Sequence, residues 1–157
     1  MAFENQVTGS MGTKISACLT LPTDNTKSAW LALDNGTNFK QIKGITDGGN
    51  YGGTYDLGSE AQLEDGVLMK WKGVMNAGSA SLAVLVLEGD EGQAVLIEAS
   101  DSYNAVSFKY EFTNGNVDYF AALVMGWDTQ VGSANDAVKA SPTLELIAKA
   151  VRVTPGP

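Results

Sequence analysis

Asp90-Glu91-Gly92-Gln93-Ala94-Val95-Leu96-Ile97 and, a little further on, Val106-Ser107-Phe108-Lys109-Tyr110-Glu111-Phe112-Thr113-Asn114-Gly115 decide how this chain folds. Asp90 offers an N-cap carboxylate, Gln93 stands three residues on, and an apolar run follows, so a short helix ending near Ser100 is predicted. Gly92 and the β-branched Val95 and Ile97 lower its propensity. Asp101-Ser102-Tyr103-Asn104 breaks it. Beyond the break, Val106, Phe108, Tyr110 and Phe112 alternate with Ser107, Lys109 and Glu111, the period of a strand buried on one face. Asn114-Gly115 then signals a hairpin, because a two-residue type I′ turn needs positive φ at both central positions. A two-residue turn sets Phe112 opposite Val117, Tyr110 opposite Tyr119, Phe108 opposite Ala121 and Val106 opposite Leu123, all apolar pairs. It also sets Glu111 opposite Asp118, a like-charge pair. Such a pair is either a small cost on a solvated face or the mark of a face that is acidic for a reason.

The rest of the chain fits one domain. Its 157 residues, 44% hydrophobic and 18% charged, suffice for a core of their own. Eighteen glycines suggest many turns between short strands. A net charge of −8 disfavours a protein that reads nucleic acid through a basic patch, though not one that lets nucleic acid pass without holding it. The absence of His excludes His-based triads and His metal ligands. Cys18 is the only cysteine, so no intrachain disulfide or cysteine-held zinc is available, and a small packed strand residue is its expected part. Met1-Ala2-Phe3-Glu4-Asn5 lacks the regions of a signal peptide, and no apolar run reaches the roughly 20 residues of a membrane span. Cytoplasmic synthesis and no membrane partner are therefore expected.

In chain order, residues 1–11 read as a polar, flexible tip. Ile15, Ala17, Leu19 and Leu21 alternate with polar residues over 13–21, a strand. Residues 22–26 turn; 30–33 and 39–45 suggest two further short strands. Residues 44–66 hold seven glycines with Asp47, Asp56, Glu60, Glu64 and Asp65 and no Lys or Arg, so they read as a long acidic loop. That loop lacks the spacing of a phosphate cradle, and its carboxylates lack that of an EF-hand. Residues 67–74 and 81–87 are strands, the second apolar enough for burial on both sides. Residues 126–135 are a polar loop. Around Ser141-Pro142, Leu144, Ile147, Ala148 and Val151 carry helical spacing, while Leu144, Leu146, Ala148 and Ala150 carry strand spacing. The pattern alone leans to helix. Residues 154–157 read as a tail.

The order of these segments resembles the major tail tube proteins of long-tailed, siphovirus-type bacteriophages and gene transfer agents. The likeness runs from Gly12-Thr13-Lys14-Ile15 through Ile42-Lys43-Gly44-Ile45, Leu63-Glu64-Asp65-Gly66 and Lys72-Gly73-Val74-Met75-Asn76-Ala77-Gly78. It continues through Asp90-Glu91-Gly92-Gln93 and Phe108-Lys109-Tyr110-Glu111-Phe112 to 131–140. It implies a mainly β fold: a β-sandwich or half-barrel of antiparallel strands with one short flanking helix, a long glycine-rich loop, and a strand rather than a helix at 137–153. It further implies a structural virion protein without cofactor, metal or catalytic residues, assembled in the host cytoplasm. Its homohexameric rings would stack into a tail tube that encloses a tape-measure protein, meets tail terminator and distal tail proteins, and conducts double-stranded DNA without binding it. On that reading Asp47, Tyr51, Tyr55, Asp56, Glu60, Glu64 and Asp65 belong to an inter-ring loop. Glu111 and Asp118, with Lys109 and Ser107, would line the lumen.

Two other classes compete. A β-sandwich binding module for carbohydrates or surfaces would use Trp30, Trp71, Trp127 and the tyrosines of 51–55 as a stacking platform, although large aromatics more often pack in cores. An enzyme would need paired carboxylates. Glu60, Glu64 and Asp65 could form one side of such a pair, but nothing supplies the other.

Overall fold

Phe112 donates its amide to the Asn116 carbonyl at 2.9 Å, and Gly115 donates to Phe112 at 3.1 Å. These two bonds set the register of the central hairpin. The computed structural model describes residues 8–154, so most of the expected N-terminal tip and C-terminal tail lie outside the described residues. Within it the chain runs β1 (Lys14–Cys18), α1 (Lys27–Leu33), β2 (Lys40–Gln41), β3 (Ile45–Asp47), β4 (Thr54–Ala61) and β5 (Leu68–Asn76). It continues through β6 (Ser79–Ser81), β7 (Ala83–Leu85), α2 (Glu91–Ser100), β8 (Val106–Glu111) and β9 (Val117–Gly126). The last elements are β10 (Thr129–Gln130), β11 (Lys139–Ala140), β12 (Thr143–Leu146) and β13 (Val151–Val153). Neither helix is long and apolar enough to cross a membrane.

Three antiparallel sheets result. The largest runs β2-β1-β8-β9-β12-β6, with β13 also pairing along β9; the second runs β10-β11-β7-β3; the third is β4-β5 alone. The first two sheets and α2 share one core, in which Phe108, Phe120 and Leu144 from the large sheet meet Val84 and Ala140 from the second and Leu96 from the helix. The architecture is the mainly β, antiparallel sandwich expected.

The helix α2 begins as predicted. Asp90 caps it, accepting from the Gln93 amide at 3.0 Å, and also accepts from Lys43 at 3.2 Å. Gly92 has a packing reason, since a Cβ there would collide with the Gln41–Ile42 backbone. Gln93 is buried rather than turned back on the cap; its amide donates to the Lys43 and Leu85 carbonyls, both at 2.8 Å.

Four expectations are corrected. The Asn-Gly turn is one residue longer than two, with Thr113, Asn114 and Gly115 (φ 93°) in the loop. The pairs are therefore Tyr110 with Asp118, Phe108 with Phe120 and Glu111 with Val117. A one-residue slip reverses every side chain, so Glu111 and Asp118 lie on opposite faces and do not repel. Second, 30–33 belong to a second helix, α1, capped by Thr26, which accepts from the Ala29 amide at 3.3 Å. Third, residues 44–66 are not a loop throughout, because they contain β3 and β4. Fourth, the helical lean at 141–152 gives way to strand, as the resemblance implied, but the single strand it implied over 137–153 is three short ones, β11, β12 and β13, broken at 141–142 and 147–150.

Candidate assembly site

β4 and β5 leave the sandwich as a two-stranded arm. Leu57 and Val74 are 69% and 75% exposed, and Leu63 at the tip is fully exposed. An isolated two-stranded ribbon is marginal in water, so an arm this apolar needs a surface to lie against. Its own reinforcement is modest. The Trp71 ring lies across Gly58, filling the space where any Cβ would stand. Lys72 sits 4.9 Å from the Tyr55 ring centre. Register opposes Glu60 to Met69, Gly58 to Trp71, Ser59 to Lys70 and Leu57 to Lys72, with a shift between Tyr55 and Leu57. At the tip, Asp65 accepts from the Val67 amide at 2.9 Å, and Glu64 is exposed beside it.

The arm is anchored at its root. Tyr51 packs edge-on against Tyr110, ring centres 5.0 Å apart, and against Phe120 at 5.1 Å. Its hydroxyl donates to Asp118. Arg152, from β13, grips the same carboxylate with Nε at 2.7 Å and Nη2 at 3.0 Å, a bidentate charge-assisted pair. Burial and the adjoining Asp118 carboxylate push the Tyr51 phenol far above its ordinary range. Tyr110, raised chiefly by burial, donates to the Gly48 carbonyl at 3.0 Å. Asp47 turns the preceding segment by accepting from Gly49 at 2.8 Å. A cleft of about 560 Å³ opens here between Asp47, Tyr51, Asn116 and Arg152.

The opposite face of the large sheet carries a second polar cluster. Lys109 donates to Glu111 at 2.7 Å and to Asp34, the C-cap of α1, at 3.0 Å. Tyr119 donates to the same Asp34 oxygen at 2.8 Å, and its ring stacks on Trp30 at 5.6 Å. Burial works against the Lys109 charge, but the hydrogen bonds it donates to Glu111 and Asp34, with their negative charge, outweigh it and raise its pKa. Burial, with the Asp34 bond, raises Tyr119 as well.

The seven residues read as an inter-ring segment thus divide in two. Tyr55, Asp56, Glu60, Glu64 and Asp65 lie on the arm, and Asp47 and Tyr51 lie at its root. Of the four residues read as lumen-facing, Lys109 and Glu111 are joined. Ser107 is fully buried and donates to the Thr20 carbonyl at 2.6 Å, while Asp118 is buried on the other face. The tryptophans do not form a platform: Trp30 is buried with Tyr119, Trp71 is on the arm, and Trp127 packs against the main core. Cys18 is buried. Sequence reasoning passed over Asp34 and Arg152, whose partners are distant in the chain; their signal was only that each supplies a charge near apolar strand residues.

The fold is an antiparallel sandwich with a core of its own, from which a two-stranded arm projects with most of its apolar side chains exposed. The chain belongs to the lambda phage tail tube protein family, whose sequence profile matches residues 23–154. No curated protein matches it by sequence. Solved structures share the fold. The SPP1 tail tube aligns with TM-score 0.65 and 16% identity over 92% of this chain and 79% of that one. The tail of an empty GTA particle with C6 symmetry aligns at 0.66 and 14%, over 94% and 100%. The tube–sheath complex of the extracellular contractile injection system PVC aligns at 0.66 and 13%, over 96% and 93%. The chain is thus a structural tail tube component of phage-like tails.

Proposed function

We propose that six copies close into a ring and that rings stack into a tube, each arm ordering against a neighbouring copy. The carrying observation is the arm itself, eight and nine residues of strand with both outer edges free and apolar side chains on both faces. Elsewhere the sheets end in short strands such as β2, β6 and β10, of two or three residues, which template pairing poorly. The sixfold symmetry of the GTA tail supports the ring number, since a head-to-tail contact closes only at a fixed rotation. The tube would enclose a tape-measure protein, meet terminator and distal tail proteins at its ends, and conduct double-stranded DNA.

An acidic bore follows from the same reading. Cationic walls would hold DNA by counterion release, whereas 18 acidic against 10 basic residues leave a surface that repels it weakly. Glu111, partly exposed beside Lys109, is the candidate for that wall, with Ser107 and Asp118 bracing the strands from inside the subunit. Electron microscopy and sedimentation of the purified chain test assembly. Rings or tubes are expected, and a monomer at every concentration and salt overturns the reading.

A further inference from the structure

The two faces of the arm carry opposite charge. Cross-strand partners share a face, so Glu60 lies with Met69, Gly58 with Trp71, and Asp56 with them by alternation. Lys70 lies with Ser59, Lys72 with Leu57, and Tyr55 joins this second face under the Lys72 ammonium. One face is therefore acidic around an exposed Met69–Trp71 patch, and the other is basic around an exposed Leu57–Tyr55 patch. No salt bridge within the described residues uses Asp56, Glu60, Lys70 or Lys72. A surface that presents different, mutually complementary faces cannot pair isologously with its own twin, because acid would meet acid. It pairs heterologously, front of one to back of the next, which is the contact that closes a ring.

We propose that arms of neighbouring copies pack face to face, the Asp56/Glu60 face of one on the Lys70/Lys72 face of the next. This rests on the self-association proposed above and names the surfaces that carry it. The apolar patches supply the contact area, and the charges fix which face meets which. Trp71 serves as the anchor, its ring held flat over Gly58 so that little side-chain freedom is lost on docking.

Charge reversal in the full chain tests it. K70E/K72E makes both faces acidic, and D56K/E60K makes both basic. Each variant alone is expected to assemble at least about tenfold less than the parent by sedimentation, with unchanged melting of the monomer. An equimolar mixture of the two, and the single chain D56K/E60K/K70E/K72E, are both expected to recover assembly, because opposite faces meet again. If the parent assembles and the double variants assemble equally well, the arms dock elsewhere, on the neighbour's body or edge to edge, and the proposal fails while self-association stands. Loss without recovery in the mixture and in the quadruple variant also overturns it. A parent that stays monomeric overturns self-association and this pairing together.

Discussion

The sandwich and the arm are built from similar residues to opposite ends. In the sandwich, β8 and β9 bury Phe108 and Phe120 stacked at 5.4 Å, and even the second sheet face is covered by α1 through Trp30 and Tyr119. In the arm, β4 and β5 alternate as well, yet no residue of either strand is fully buried. The central strands of the sandwich bury most of their large apolar side chains within one chain, whereas most of those of the arm stay at least half exposed, and on the reading proposed above another copy covers them. On that reading stability and assembly rest on different strands and can be altered separately.

Excising the arm gives the largest effect. Replacing 55–75 by Asn-Gly joins Thr54 to Asn76, which are cross-strand partners already. Assembly by sedimentation is expected to vanish while the thermal midpoint of the monomer shifts by only a few degrees, about what 1 kcal/mol produces in a domain of this size. Unfolding of the remainder would break the comparison.

Matched truncations sharpen it. Phe108→Ala empties the core and is expected to cost about 3–5 kcal/mol in urea unfolding. Trp71→Ala, half exposed on the arm, is expected to leave monomer stability within about 0.5 kcal/mol and yet weaken assembly. Equal costs at the two sites would erase the distinction.

Alkaline pH gives the smallest effect. Tyr51, Tyr110 and Tyr119 have phenol pKa values raised in the folded chain, and Lys109 is raised too. The folded state therefore holds protons that the unfolded chain releases. Stability is full below the ordinary tyrosine value of about 10 and falls as pH rises above it. Urea midpoints should hold up to about pH 10 and drop progressively above it, equally with and without the arm, because all four groups lie in the sandwich or at the arm's root. A constant midpoint, or a fall that requires the arm, would contradict that placement.

What was legible in the sequence were local signals with one physical meaning. Asp90 caps α2, Asn114-Gly115 turns a hairpin, and alternation marks β1, β5 and β8. What was illegible depended on contacts across the chain. Asn-Gly suits both a two-residue turn and a three-residue loop with glycine at positive φ, and β9 is apolar on both faces, so either register finds apolar partners. Trp30-Leu31-Ala32-Leu33 looks like a strand, but Thr26 is the capping signal that should have outweighed four residues of alternation. The glycines of 44–66 read as looseness, yet Gly58 makes room for Trp71. Asp118 reads from the sequence as half of a like-charge pair, and the one-residue slip hides its burial with Arg152 and Tyr51.

The neck of the arm is narrow. Gly78 (φ 94°) passes so close to the Gly52 carbonyl that a Cβ would collide with it, and Tyr51 is pinned on the entering side. Eight strand residues carry the tip about 25 Å from that neck. A tilt of only about 5° there moves the tip by about 2 Å, enough to unseat a side chain packed at van der Waals distance. In the tube proposed above, the neck would act as a gauge. An angular change at one glycine would recur in every copy, cancel around a symmetric ring, and reappear as altered twist and spacing between rings.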